Sequence, residues 1–237
     1  MWWIKIMANH GKRYRSISEK VESKVYALND AIEFIKAHPA AKFDETLDIA
    51  FRLGIDYKKS EQSVRGTVSL PHGSGKKVRV LVFASGAAVD EAKAAGAEHV
   101  GFEDLIAKVQ SGWSDFDVAI ATADAMKEVR KLGKFLGPRG LMPNPKTGTV
   151  TDDITGAVNQ FKAGRVEFRM DRHGNVMVPF GKRSFETNKL AVNAQAVIDA
   201  IAHAKPPTAK GVYMKRCVVS STMGVGLQVL AQVSGAE

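Results

Sequence analysis

KVRVLVFA, residues 77–84, reads as a β-strand, and the pattern that follows it decides the fold. Asp90–Ala95 reads as a helix, Glu98–Gly101 as a short strand, and Glu103–Gln110 as a helix carrying Leu105, Ile106 and Val109. DVAIATA (Asp117–Ala123) is a further strand and Met126–Lys134 a further helix. Strands and helices in strict alternation with short connections predict right-handed crossovers and a small parallel sheet.

Such sheets often hold nucleotides, so the loop after the first strand is diagnostic. A dinucleotide site needs G-x-G-x-x-G there. Ser85-Gly86-Ala87-Ala88-Val89 supplies a single glycine. PHGSGKK (Pro71–Lys77) is glycine-rich, but Lys77 stands where a phosphate-binding P-loop needs Ser or Thr, and the loop precedes a strand. A nucleotide- or anion-binding enzyme on this sheet is therefore the weaker of two readings.

Beyond the last helix comes GKFLGPRGLMPNPKTGTVTDD, Gly133–Asp153, with four glycines and three prolines. Proline removes an amide donor and fixes φ, and glycine admits backbone conformations other residues avoid. The stretch is expected to form an extended loop of fixed shape. Arg130, Lys131, Lys134, Arg139 and Lys146 accompany it, and no acid stands between Glu128 and Asp152. By pattern it is a structural crossing loop or one that also touches a phosphate backbone.

The flanks differ in charge. Residues 1–70 hold 12 Lys/Arg against 9 Asp/Glu, and residues 157–237 hold 11 against 5. Residues 71–156 are balanced at 11 and 11, so the ends carry the whole excess of +9. That excess favours a polyanionic partner. The division predicted is a basic split domain, 1–70 with 160–237, and an inserted Rossmann-like three-layer α/β domain, 71–159. The fold class is α/β with a split α+β domain made from both ends. The paired crossings near Leu70–Gly75 and Asp153–Lys162 are expected to form a hinge.

Within the flanks, HGKRYR (His10–Arg15) reads as a basic arm and Ser18–Val25 as a short helix. A second helix begins at Asp30, with Asp30 and Glu33 at capping-box spacing, and ends at Pro39. Glu45–Phe51 alternates Leu47, Ile49 and Phe51 with Thr46, Asp48 and Ala50, the mark of a half-buried strand. Phe43, just before it, is either a core-edge residue or one that stacks on a base. Arg165–Asp171 and Val176–Phe180 read as a β-hairpin turning at Arg172–Asn175, with Arg165, Arg169 and Arg172 on or near its polar side. Ser184–His203 is the longest helix, and Gly211–Ser221 a strand entering STMGVG. Gly224 there would let backbone approach RNA, and Thr222 would donate to a 2′-hydroxyl or phosphate.

No catalytic set is legible. Cys217 is the single cysteine, excludes an internal disulfide and sits among Val212, Met214, Val218 and Val219, as a buried thiol would. The six histidines show no metal spacing, and no G-x-S-x-G elbow occurs. We expect no enzyme activity, cofactor or metal. No apolar run reaches membrane-spanning length. MWWIKIM is too short for a signal peptide, so Met7 is a candidate start and the chain is expected to be cytoplasmic.

LGPRGLMPNPKTGTV also carries a resemblance. With HGKRYR, AKFDET (Ala41–Thr46), VRGTVSLPHG (Val64–Gly73), GRVEFRMDRHG (Gly164–Gly174) and STMG (Ser221–Gly224), in that order, the chain resembles the bacterial-type family of large-subunit ribosomal protein one. The likeness runs from about Asn9 to Gly226. It implies two α/β domains joined by a two-strand hinge, with the first binding a mobile stalk of large-subunit rRNA. It further implies help in releasing deacylated tRNA from the exit site, translational repression of the protein's own operon messenger, and a monomer when free of RNA. Carried over by residue, the RNA contacts fall on Lys42, Phe43 and Thr46 and on Thr222, Met223 and Gly224. Lys12, Arg13, Arg165 and Arg169 join them on weaker motifs.

Overall fold

The computed structural model describes residues 11–56 and 60–231; the MWWIKIM start and His10 lie outside them. In chain order the elements are α1 (Lys12–Ser18), α2 (Leu28–Ala37), β1 (Thr46–Leu53), β2 (Arg65–Ser69), β3 (Val80–Phe83), α3 (Ala87–Ala94), β4 (His99–Gly101), α4 (Glu103–Gln110) and β5 (Val118–Ala121). There follow α5 (Met126–Val129), α6 (Gly133–Leu136), α7 (Ile154–Ala163), β6 (Arg165–Arg169), β7 (Asn175–Lys182), α8 (Thr187–His203), β8 (Met214–Ser221) and β9 (Leu227–Val229). The chain is mixed α/β with several sheets.

Two compact units emerge: the described residues of Met1–Gln62 with Met170–Glu237, and Ser63–Arg169. Within the Ser63–Arg169 unit β2 and β6 bond to each other, Arg65 opposite Arg169 through Ser69 opposite Arg165.

That pairing corrects the expected hairpin. β6 and β7 follow one another but do not pair; β6 joins β2, and β7 joins β1. The turn at Arg172–Gly174 remains, closed by Asp171, whose Oδ1 accepts from the His173 and Asn175 amides at 2.7 and 2.8 Å.

In the first unit, an antiparallel sheet runs β7-β1-β8-β9 with β1 bonded on both sides. The alternation of β1 emerges as read: Leu47, Ile49, Phe51 and Leu53 are buried. Val176, Val178 and Phe180 of β7 and Cys217 and Val219 of β8 are buried beside them. Helices α2 and α8 pack together and against this sheet, burying Ala31, Ile32, Ile35, Leu190, Ala194, Val197, Ile198 and Ile201. Each large apolar side chain so buried contributes about 1.5–3 kcal/mol.

Two local expectations change. The first helix is Lys12–Ser18, not Ser18–Val25. Tyr26 bridges Val229, and its hydroxyl accepts from the Glu22 amide at 3.0 Å, which holds that segment as a turn. Helix α2 begins at Leu28, and no side chain caps it; Asp30 sits inside its first turn, where negative charge suits the positive end of the helix.

In the second unit, a parallel sheet runs β4-β3-β5. Leu81, Phe83, Ala119 and Ala121 face Leu105 and Val109 of α4 and Val129, Leu132 and Leu136 beyond. Val80, Val82, Ala84 and Ile120 face Ala92 of α3 and Ile154, Ala157, Val158 and Phe161 of α7. Both faces of the sheet are thus covered, which is why β3 and β5 are apolar at every position. The helix expected over Met126–Lys134 is broken, with a 3-10 turn at Arg130–Leu132 and a restart at Gly133, a poor helix former.

The Gly133–Asp153 loop has internal order. A 3-10 turn at Pro145–Thr147 is capped by Asn144, whose side chain accepts from the Lys146 amide at 2.8 Å. Buried Thr147 and Thr149 bond each other at 3.0 Å and both bond the Asn144 carbonyl. Val150 then bridges Ala121 in parallel and extends the sheet edge, a role the loop reading did not contain.

Candidate nucleic-acid interface

Strand β1 points Leu47, Ile49 and Phe51 inward, and the same alternation carried back one step puts Glu45 on that face. Its carboxylate is 0% exposed. An unpaired buried carboxylate would be costly, and this one is satisfied from three segments. Oε2 accepts from the Ala40 amide and the Arg183 guanidinium, each at 3.3 Å. Oε1 accepts from the Ser221 hydroxyl at 3.3 Å and the Met223 amide at 3.2 Å. The Glu45 carbonyl also accepts from the Arg183 amide at 2.9 Å. One carboxylate thereby fastens the entry of β1, the exit of β7 and the turn after β8.

That turn is Ser221–Gly224, closed by the Gly224 amide on the Ser221 carbonyl at 3.1 Å. Its corner residue Thr222 locks to the first residue of β1. The Thr46 amide donates to Thr222 Oγ1 at 3.0 Å, and the Thr222 amide donates to the Thr46 carbonyl at 3.1 Å. The Thr222 hydroxyl proton is directed at the same carbonyl, at 3.3 Å, which leaves one lone pair as an acceptor. Lys182 Nζ donates to Thr46 Oγ1 at 2.8 Å and brings a cation to the corner. Asp44 meanwhile accepts from the Ser184 amide and hydroxyl at 3.0 and 2.8 Å, tying the segment that carries Phe43.

Over this framework stand two large apolar side chains in water, Phe43 at 53% and Met223 at 59% exposed. Lys42 is exposed and has no ion pair among the described residues. Lys42, Phe43 and Thr46 are therefore brought together with Thr222, Met223 and Gly224. Gly224 has a packing reason of its own: a Cβ there would stand 2.3 Å from Ser221 Oγ.

The other candidates belong to other elements. Lys12 and Arg13 are exposed on helix α1, so the basic arm is helical from Lys12 onward. Arg165 and Arg169 belong to the Ser63–Arg169 unit. Arg165 is engaged there: Nε and Nη2 donate to Thr67 Oγ1 at 3.0 and 2.8 Å, Nη1 reaches Gln160, and the guanidinium lies over Phe161. Arg169 is exposed at the end of β6. Sequence reasoning missed Glu45, Lys182 and Arg183. Strand parity could have found Glu45; nothing in the pattern marks the two cations.

A profile of the ribosomal protein L1p/L10e family matches residues 35–225. The chain belongs to that family. It is a ribosomal protein of the large subunit that binds rRNA. As a member of the L1p/L10e family it belongs among structural ribosomal proteins. The match covers both halves of the corner, from Lys42 to Thr46 and from Ser221 to Gly224. The corner sets two exposed apolar side chains, Phe43 and Met223, on a hydrogen-bonded frame that also carries the cations Lys42, Lys182 and Arg183.

No helix among the described residues is long and apolar enough to cross a membrane. The Cys217 thiol is buried, and burial pushes its pKa up to about 12. It is a core residue in a site where thiolate chemistry is suppressed.

Proposed function

We propose that the Thr46–Thr222 corner is the surface that grips the rRNA of a mobile stalk, with Lys42, Phe43, Thr46, Thr222, Met223 and Gly224 as its contacts. The single observation carrying this reading is the pair of exposed apolar side chains, Phe43 and Met223, on a corner that buried Glu45 makes rigid. A partner that covers both would remove their apolar surface from water. Lys12 and Arg13 add phosphate contacts from α1, and Arg169, with Arg165, adds them from the second unit.

On this reading the chain has two domains, a split α+β RNA-binding domain and an inserted Rossmann-like domain. The protein is a monomer when free. On the ribosome it assists deacylated tRNA in leaving the exit site, and off the ribosome it represses its own operon messenger by binding a structure like the rRNA stalk. The family resemblance supports those roles, and the basic ends support the polyanionic partner.

The test is filter binding of the full chain to stalk fragments of large-subunit rRNA across a salt series. Met223→Ala and Phe43→Ala are expected to weaken binding about tenfold each. The salt slope should stay the same, because neither residue neutralises a phosphate. Parental affinity in both variants, with unchanged circular dichroism, would remove the corner as the contact surface.

A further inference from the structure

The Gly133–Asp153 region has a second feature that stalk binding leaves unused. A cavity of about 250 Å³ opens on the Ser63–Arg169 unit between the end of α4 and helix α6. Buried Val109 and Leu136 line it, together with Trp113, Phe135, Lys134 and Arg139.

Local structure explains each wall. Gly112 takes a φ of +98° after α4, and the Trp113 amide returns to the Lys108 carbonyl at 3.2 Å, which folds the indole back against the helix. His99 meets the indole edge-on at 4.8 Å and Phe116 lies 5.6 Å away, so Trp113 is fixed from behind. Helix α6 turns Leu136 into the core and leaves the neighbouring Phe135 43% exposed. Lys134 and Arg139 are exposed, and neither has an ion pair among the described residues. From Lys127 to Lys146 six cations stand against the single acid Glu128. Lys131 is bound to that acid at 2.5 Å, and Lys134 and Arg139 are the two cations that line the cavity.

An aromatic wall beside unpaired cations is the chemistry that takes a base by stacking and its phosphate by charge. We propose that this cavity receives one unstacked nucleotide of an RNA chain, the base against Trp113 or Phe135 and the phosphate between Lys134 and Arg139. The proposal rests on the reading of this chain as an RNA binder, but on residues of the Ser63–Arg169 unit and not on the Thr46–Thr222 corner. It gives the loop a ligand, and the nucleotide's source is rRNA or a bound tRNA.

Trp113 makes the test direct, because the other two tryptophans are Trp2 and Trp3. With Trp2→Phe and Trp3→Phe, fluorescence reports on Trp113 alone in the full-length chain. The probes are a short oligouridylate, deacylated tRNA, a stalk fragment of rRNA, and uridine monophosphate. We expect saturable quenching by the oligouridylate. Affinity should fall about tenfold in Phe135→Ala, the loss of one stacked base, and about tenfold in the double variant Lys134→Gln, Arg139→Gln.

Stronger quenching by tRNA or by the rRNA fragment names the source. Saturable quenching by the monophosphate as tight as by the oligouridylate would mark a free-nucleotide site and overturn the proposal. So would the absence of saturable quenching, or quenching that both variants leave unchanged while circular dichroism shows them folded. The corner is scored separately. Met223→Ala should lower stalk affinity and leave the Trp113 signal intact, so loss of either result leaves the other standing.

Discussion

Thr46 and Thr222, 176 residues apart in the chain, hold each other by two reciprocal bonds: the Thr46 amide on the Thr222 hydroxyl at 3.0 Å, and the Thr222 amide on the Thr46 carbonyl at 3.1 Å. The first residue of the central strand and the corner of a turn thus become one rigid piece. The hydroxyl expected to donate to RNA spends its proton on Thr46. What it offers outward is an acceptor, to which a 2′-hydroxyl can donate.

Thr222→Val keeps the shape and removes the hydroxyl. The Thr46 amide then loses its partner, at a stability cost of about 1 kcal/mol. Stalk rRNA affinity should fall about tenfold, and Thr222→Ser should restore it. Urea melts and filter binding measure the two effects. A Thr222→Val protein that binds like the parent would show that the hydroxyl serves the fold alone.

Glu45 is the more severe position. Glu45→Ala would strand the Ser221 hydroxyl, the Met223 and Ala40 amides and Arg183 around a void. A loss of about 3 kcal/mol is expected in urea melts. Glu45→Gln keeps the volume and one acceptor but turns its NH2 toward donors in either orientation, so it should fold with a smaller loss of stability than Glu45→Ala and with weaker rRNA binding. A Glu45→Ala protein as stable as the parent would contradict the fastening role.

Gly224→Ala tests close approach. A Cβ 2.3 Å from Ser221 Oγ must push that hydroxyl off Glu45. The expected result is a folded protein with reduced rRNA affinity and an altered Met223 amide signal in NMR. Unchanged Ser221 and Met223 signals would show that the turn yields at no cost.

Asp117 supplies a pH dependence in the second unit. Burial pushes its carboxyl up, but bonds from Lys76 and from the Arg79 backbone and side chain outweigh this and hold it at about 2. A folded-state value below the unfolded one means stability present above the unfolded value of about 3.9. It is lost as pH falls toward 2. Thermal melts of Asp117→Asn should show a shallower acid decline over that window than the parent. Identical slopes would assign the acid sensitivity elsewhere.

Cys217 gives a probe of the first unit's core. Its thiol is buried in β8 with its pKa up at about 12. Reaction with a thiol reagent at neutral pH should be slow in the native protein and complete in denaturant. Fast labelling without denaturant would show that β8 opens locally.

Periodicity and breakers alone determined the class of this fold. The alternation of Leu47, Ile49 and Phe51 and the strand–helix alternation from Lys77 onward survive, because hydrophobic period is a local property that burial preserves. The sequence also singles out the two short motifs of the corner, through the family resemblance and the residue types of Phe43, Thr222 and Gly224, but not the bonds that join them. Tertiary structure decided partner choice. Arg165–Arg169 looked like half of a hairpin and bonds instead to Arg65–Ser69, since a strand's sequence fixes which face is buried but not which distant strand completes its ladder. The same holds for Glu45, an acid on an apolar face whose meaning depends on Ser221, Met223 and Arg183 arriving from elsewhere. Long-range contacts are set by packing of the whole unit, and only the fold brings those groups within hydrogen-bond reach.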